Sequence, residues 1–245
     1  MKKVGIRLAL AAATLLTSLG VQAGVLRSTV TFDPVDTSGL FFPPALVYGD
    51  EFTQSAFGRT MWFDPASNSP SGQFGDLVGG IQNGPCSDLV CPVNNATNYV
   101  SLLNDGFLAF GMADKFTFSV KSLDASFIGT GDPVAATPAF LALQGARGGQ
   151  TVTAYYALTG LDGKGNLNFS TINTGAFGDY EFEVVYAYAY VCKDASSCQA
   201  FSTNQAQFAL DNINIEHVPE PASLALVGMA GLAWMGARRR RATAA

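Results

Sequence analysis

The sequence predicts an all-β fold, a two-sheet β-sandwich of the jelly-roll kind, with a short apolar helix at each end of the chain. Short runs rich in Val, Phe, Tyr and Thr are separated by Gly, Asn, Asp, Ser and Pro, and no amphipathic helical stripe appears between the apolar ends. About 195 residues remain between those ends, enough for one domain with a substantial core. A closed barrel is the alternative architecture, because alternation alone does not distinguish the two.

Alternation of apolar and polar residues predicts about eight to ten strands. Residues 25–32 place Leu26, Val30 and Phe32 on one side, and residues 115–121 alternate in the same way. Turn residues such as those at 162–166 separate the runs. The other predicted strands are Gly106–Met112, Ala139–Leu143, Thr151–Leu158, Leu167–Ile172, Tyr180–Val191 and Gln207–Ile215.

The last predicted strand changes phase in its middle. Its large apolar residues stand at positions 208 and 210 and then at 213 and 215. A β-bulge at Asp211 and Asn212 would restore the inward pattern. We favour side chains that bond to nearby backbone and hold this bulge. The alternative makes Asp211 a calcium ligand.

The N-terminus has the pattern of a secretory signal peptide. Three basic residues stand within the first seven, an apolar run covers Leu8–Leu19, and small residues precede a predicted cut between Ala23 and Gly24. The Sec translocon and signal peptidase are the partners that this segment predicts.

The C-terminus has the pattern of a processing signal. Its apolar run, Ala222–Ala237, would form a helix of roughly 24 Å, a little short for a comfortable bilayer span. The arginines that follow resist translocation, so everything before Val218 is expected on the far side of the membrane. The signal comprises Val218, Pro219, Glu220 and Pro221, then the apolar run, then Arg238, Arg239, Arg240 and Arg241.

This tail resembles the PEP-CTERM sorting signal. Proteins of that group are made by Gram-negative bacteria that secrete exopolysaccharide, and a membrane-embedded exosortase is thought to cut near the Pro-Glu-Pro before surface delivery. The stretch from Phe208 to Ile213 looks like the closing strand of many such proteins with a β-sandwich body. The resemblance implies a precursor held transiently in the inner membrane, and then a product at the cell surface or in the extracellular matrix.

Removing both signals makes the predicted mature protein strongly acidic. All 19 acidic residues of the chain lie between Asp33 and Glu220, where only seven basic residues accompany them if Arg27 is included, so the net charge is −12 rather than −5. Such a surface repels nucleic-acid phosphates and anionic lipids. We therefore exclude nucleic acid as a partner.

Four cysteines form two close couples, Cys86 with Cys91 and Cys192 with Cys198. An oxidising exported environment favours a disulfide within each couple, although crossed pairing stays open. Each bridge would contribute about 2 kcal/mol by constraining a loop. A four-thiolate zinc site is disfavoured, because it usually needs closer Cys-x-x-Cys couples.

Catalytic patterns are scarce. The sole histidine, His217, stands beside the processing signal, which argues against a Ser/His/Asp or Cys/His centre. Glu181 and Glu183 would share one strand face at a separation that glycoside hydrolases use. Jelly-roll glycosidases of the laminarinase kind carry Glu-x-Asp-x-x-Glu, but Tyr186 stands here in place of the last acid. Two solvated glutamates are therefore the favoured interpretation.

The same segment carries an aromatic ladder on its other face. Aromatic strand faces usually point inward, so we favour core packing for this ladder. The alternative is a platform on which sugar rings stack, formed by Tyr186, Tyr188 and Tyr190.

The predicted organisation is a signal peptide at 1–23, a β-sandwich at 24–217, the sorting signal at 218–241 and a tail at 242–245. The predicted function is that of an exported, non-catalytic surface or matrix protein that associates with exopolysaccharide and contacts carbohydrate. The alternatives are a polysaccharide-active glycoside hydrolase and a purely structural adhesin with no small ligand. No cofactor is expected apart from calcium under the alternative interpretation of Asp211.

Overall fold

The structure is a computed structural model that describes residues 24–42, 44–83, 89–129, 139–194, 197–201 and 206–219. Residues Arg27–His217 form one compact unit. Residues Met1–Leu26 and Val218–Ala245 form the other unit, which lies almost wholly outside the described residues. The predicted helices of the two signals therefore lie outside them as well.

Strands are the main regular secondary structure of the described residues. Two short 3-10 helices, Thr37–Gly39 and Gly175–Asp179, connect them. The strands are β1 Leu26–Val30, β2 Ala45–Val47, β3 Phe52–Ala56, β4 Arg59–Ser67, β5 Leu77–Gln82, β6 Tyr99–Leu102, β7 Gly106–Met112, β8 Ser119–Phe127, β9 Ala139–Arg147, β10 Gln150–Leu158, β11 Ser170–Asn173, β12 Val184–Asp194, β13 Ser197–Gln199 and β14 Phe208–His217.

These strands form two seven-stranded sheets. The first sheet has the order β11-β8-β14-β6-β5-β2, with β1 also paired to β14. The second has the order β10-β9-β12-β7-β4-β3, with β13 also paired to β12. The pairings between successive strands of both orders are antiparallel. The predicted β-sandwich is confirmed, and the closed barrel is not formed.

The core lies between the inner faces of the two sheets, where alternate residues of each strand are buried. In β7, Leu108 and Phe110 are fully buried, and in β14 so are Phe208 and Leu210. The largest fully buried side chains are Tyr99, Phe32, Phe63, Phe110, Phe118, Phe208, Leu46, Met61, Leu102, Leu108, Met112 and Leu123.

The phase change in β14 is a β-bulge, as predicted. The register between β14 and β8 shifts after Asp211, which pairs with Asp124, and is shifted again at Asn214. Asn212 has a φ of 47°, in the left-handed region that Asn tolerates better than most residues. The bulge lets Leu210 and Ile213 both point into the core, where both are fully buried.

Several predicted strand boundaries were wrong. The segment predicted as one strand from Tyr180 to Val191 starts as a strand only at Val184, because Gly175–Asp179 forms a 3-10 helix just before it. The short strands β2, β3, β5 and β6 and the longer β4 were not predicted. β2 and β6 are only three and four residues long, and β3, β4 and β5 are interrupted by Ser, Thr, Pro or Gly, so none of them shows a clear strand pattern.

Candidate functional site

The tyrosine ladder of β12 lies on the outer face of the second sheet. Val185, Ala187 and Ala189 point into the core and are at most 1% exposed. Tyr186, Tyr188 and Tyr190 alternate with them and are half-buried on the other face. The favoured interpretation of the ladder as core was therefore wrong for these three tyrosines, whereas Phe182, just before β12, is buried in the core. Large core residues such as Phe110 and Phe208 leave room only for small side chains on the inner face of β12.

Neighbouring strands extend the ladder into a continuous aromatic surface, which we call the aromatic face. The Tyr190 ring lies 5.7 Å from the rings of both Tyr155 and Tyr188. The Tyr186 ring lies 6.2 Å from that of Phe107. Phe140 pairs in register with Tyr190 and is half-buried on the same face. The aromatic face comprises Phe107, Phe140, Tyr155, Tyr186, Tyr188, Tyr190 and Phe201.

Two phenols of the aromatic face, those of Tyr188 and Tyr155, have a pKa above the usual value for tyrosine. Burial, the neighbouring phenols of Tyr190 and Tyr155 and a hydrogen bond with Tyr190 raise the pKa of Tyr188 to about 12. Burial and the interaction with Tyr190 also raise the pKa of Tyr155, although its side chain is 59% exposed. The face therefore combines apolar ring surfaces with neutral hydroxyls that can donate and accept hydrogen bonds.

A disulfide fixes one edge of this surface. Cys192 and Cys198 are directly paired across β12 and β13 and form the predicted bridge. Phe201, just after β13, has a φ of 59°, which is unusual for a bulky residue. Its ring lies 5.1 Å from that of Tyr188 and 6.3 Å from that of Phe107. The bridge therefore fixes β13 beside β12. Phe201, which follows β13, packs against this edge of the aromatic face.

The other predicted cysteine pair is only partly described. Cys91 is disulfide-bonded, and no described cysteine is free. Its predicted partner Cys86 lies outside the described residues. That pairing stays a prediction.

The glutamates weighed for glycoside hydrolysis do not lie on a regular strand, because both precede β12. Glu181 accepts a hydrogen bond from Thr117 Oγ1 at 2.8 Å and lies 3.4 Å from Arg147 Nη1. Its other oxygen lies 3.2 Å from Nδ1 of His217. His217 stands beside the processing signal in the sequence, but it packs against the sandwich, since its ring lies 4.0 Å from that of Phe116. These contacts favour a structural role for Glu181, since it joins the end of β14 to the neighbouring segments.

Asp211, weighed as a calcium ligand, is fully buried at the bulge. Its carboxylate accepts hydrogen bonds from Asn95 Nδ2 at 2.8 Å, the backbone N of Asn212 at 2.8 Å and Thr97 Oγ1 at 3.4 Å. Burial raises its pKa in spite of these bonds. Within the described ranges, no group of three or more His, Cys, Asp or Glu side chains is placed to hold a metal ion. Calcium binding at Asp211 stays a prediction.

The predicted processing residues fall largely outside the described part of the chain. Gly24, Val218 and Pro219 are described, whereas Ala23 and residues 220–241 are not. Among the described residues, no helix is long and apolar enough to cross a membrane.

Sequence comparison identifies the sorting signal of this exported β-sandwich protein. Residues 217–241 match the model of the PEP-CTERM protein-sorting motif. The chain therefore carries a PEP-CTERM sorting motif, which implies export, a membrane-anchored precursor and processing by an exosortase. No curated protein matches the chain.

Among solved structures, the chain is similar to TmCBM61 in complex with beta-1,4-galactotriose. The sequence identity is 9%, the TM-score is 0.32, and the match covers 77% of this chain and 99% of that one.

Sequence reasoning found three members of the aromatic face and missed four: Phe107, Phe140, Tyr155 and Phe201. Three of these four lie on predicted strands, and alternation within each strand would have placed them opposite its core residues. The pairing that brings β7, β9 and β10 together around β12 could not be read from the separate strands.

Proposed function

We propose that the mature body is a non-catalytic carbohydrate-binding component of the cell surface or the exopolysaccharide matrix. The aromatic face is the observation that carries this proposal. Soluble proteins seldom expose a contiguous surface of this kind, and where they do it usually serves an interaction. Aromatic rings offer flat apolar surfaces to the apolar faces of sugars, while phenol hydroxyls can bond to sugar hydroxyls.

The charge of the protein supports an uncharged or weakly charged ligand. A net charge of −12 over the mature body, from 19 acidic and seven basic residues, opposes association with nucleic acid and anionic membranes. A glycan needs no charge complementarity, because ring stacking and hydroxyl bonding provide its contacts.

The test is retention of the full-length chain, in detergent, on a panel of immobilised polysaccharides. Tyr155→Ala and Tyr188→Ala should each weaken binding about tenfold, as expected for aromatic residues that contact a ligand directly. The matched control is Tyr180→Ala, because this tyrosine is 53% exposed but contacts only Phe182 among the described aromatic rings. Absence of retention on every glycan would contradict the proposal and favour a structural adhesin.

The same panel tests the hydrolase alternative. Release of new reducing ends that is abolished by Glu183→Gln would show catalysis. We expect no release, because Glu181 already bonds to Thr117 and lies beside Arg147 and His217.

A further inference from the structure

A second group of side chains stands on the outer face of the second sheet, beside the aromatic face. Trp62 and Asp64 are on β4 and alternate with Met61 and Phe63, which are fully buried in the core. Asp64 pairs in register with Ala109 of β7, and Ala109 pairs with Tyr186 of β12. With strands about 4.8 Å apart, the backbones of Asp64 and Tyr186 are separated by about 10 Å, with only an alanine between them.

The indole of Trp62 provides another flat aromatic surface. Trp62 pairs with Gly111, and a β-carbon at position 111 would lie 2.9 Å from Cζ2 of the indole. The ring therefore lies across the bare backbone of β7, which only a glycine permits at this position. Trp62 is half-buried, so part of it stays accessible.

The Asp64 carboxylate is half-buried, and no hydrogen-bond donor among the described residues contacts it. No hydrogen bond or ion pair joins it to any other side chain in the described ranges. Burial, and then the negative charge of Glu51, raise its pKa. A partly desolvated carboxylate gains most from donors that a ligand brings, and sugar hydroxyls are such donors.

The same row continues with polar groups on the far side of Tyr186. Gln144 of β9 pairs with Tyr186, and Thr153 of β10 pairs with Gln144. Gln144 Nε2 donates to Thr153 Oγ1 at 3.2 Å, which orients the amide. A carboxylate, a phenol, an amide and a hydroxyl thus stand in one line across five strands of the sheet.

We propose that Trp62, Asp64, Tyr186 and Gln144 form a subsite for an uncharged glycan chain that runs across the strands. One sugar ring stacks on Trp62, and its hydroxyls donate to Asp64, while Gln144 and Tyr186 contact the next units. The negative charges of Asp64 and Glu51 exclude uronates and sulfated sugars. This subsite rests on the proposed carbohydrate-binding function and adds the class of glycan to it.

Fluorescence provides a direct test, because the chain has two tryptophans, Trp62 and Trp234, and the second lies in the sorting signal. In the full-length Trp234→Phe protein, Trp62 is the sole tryptophan. Neutral hexasaccharides of glucan, mannan and galactan, and matched hexauronates, are titrated against it. At least one neutral hexasaccharide should shift the emission of Trp62, whereas hexauronates should bind at least about tenfold more weakly.

Variants at position 64 test the carboxylate itself. Asp64→Ala should weaken binding of the neutral sugar by about tenfold or more, as expected for a lost hydrogen bond to a charged group. Asp64→Asn keeps the shape and one acceptor, so its loss should be smaller. Asp36→Asn is the control, because Asp36 is an exposed carboxylate in a loop.

Three outcomes would overturn the subsite. Neutral sugars that bind through Tyr188 without shifting Trp62 emission would leave the proposed function intact and remove the subsite. Equal affinity for hexauronates would contradict the exclusion of charged sugars. No binding of any sugar would remove the proposed function and the subsite together.

Discussion

The central strands of the two sheets, β12 and β14, reverse the usual relation between polarity and burial. β12 places three tyrosines on the outer face and buries only Val185, Ala187 and Ala189 on the inner one. β14 buries Asp211 as deeply as Phe208 and Leu210. Both strands are flanked on both sides, β12 by β9 and β7 and β14 by β8 and β6, so sheet position does not account for the difference.

The two strands differ in whether the Asp211 carboxylate and the tyrosine rings find their contacts within the protein. The Asp211 carboxylate receives donors from Asn95, Asn212 and Thr97, so its burial is accounted for within the fold. The rings of β12 contact one another and are still half-exposed, so part of their apolar surface meets no protein atom. The polar group of β14 therefore has its partners within the fold, whereas the outer face of β12 keeps apolar surface that a ligand could cover.

The largest expected effect distinguishes the core face of β14 from the aromatic face by their contributions to the free energy of unfolding. Phe208→Ala should lower the free energy of unfolding by about 3–5 kcal/mol, because it leaves a cavity in the core. Tyr155→Ala should change it by no more than about 0.5 kcal/mol, because the side chain is mostly exposed. Denaturant unfolding monitored by circular dichroism measures both. Equal losses would mean that the aromatic face is a part of the core.

Removal of the β12–β13 disulfide should have the next largest effect. The double substitution Cys192→Ala and Cys198→Ala should cost about 2 kcal/mol of stability in the loop-entropy model for a six-residue separation. It should also weaken glycan retention, since Phe201 would lose a constraint that holds it against Tyr188. Reduction of the wild-type protein is a parallel measurement. Lost stability with unchanged glycan binding would show that the bridge does not organise the aromatic face.

The sequence predicted the fold class because apolar and polar residues alternate within most of the individual strands. It also predicted the bulge, since an unbroken alternation cannot place positions 208, 210, 213 and 215 on one face of a strand. It did not predict which face of β12 is buried, because both faces are hydrophobic. That choice depends on the volume left by large residues of other strands, such as Phe110, and so is a tertiary property.

The aromatic face was harder to predict than β12, the strand that carries three of its seven members. Tyr155 and Phe107 are distant from Tyr188 in sequence and reach the aromatic face only through the strand order β10-β9-β12-β7. The sequence does not identify Asp64 as a site residue, because a single aspartate beside aromatic residues matches no recognisable motif. Only the registers of β4 with β7 and of β7 with β12 place it in line with Tyr186.

A smaller effect concerns Asp211 and pH. Its pKa is raised above 3.8 by burial, so the folded state binds the proton more tightly than the unfolded state does. The contribution of Asp211 to the free energy of unfolding is fully present at low pH. It is lost as the pH rises through the pKa that Asp211 has in the folded state. Asp211→Asn should remove that decline. The measurement is the difference in unfolding free energy between wild type and variant from pH 3 to pH 7, on the order of 1 kcal/mol or less per pH unit.

Calcium gives this experiment a second readout. A calcium ion bound by Asp211 in the native state alone would raise the Tm of the wild type and not that of Asp211→Asn. We expect the same Tm in calcium and in EDTA, because the three hydrogen-bond donors already engage the carboxylate. A calcium-dependent rise confined to the wild type would show that Asp211 is a ligand.

The smallest expected effect is an absence of pH dependence at the aromatic face. Because the pKa of Tyr188 is raised to about 12 and that of Tyr155 is also raised, both phenols stay neutral between pH 7 and pH 9. Glycan affinity should therefore be constant over this range, whereas the Asp64 subsite should respond only at acidic pH, where its carboxylate gains a proton. Isothermal titration with a retained glycan at three pH values measures this. A marked loss of affinity by pH 9 would mean that an ionising phenol, rather than ring stacking, dominates the contact, and β12 would then resemble β14 in relying on its polar groups.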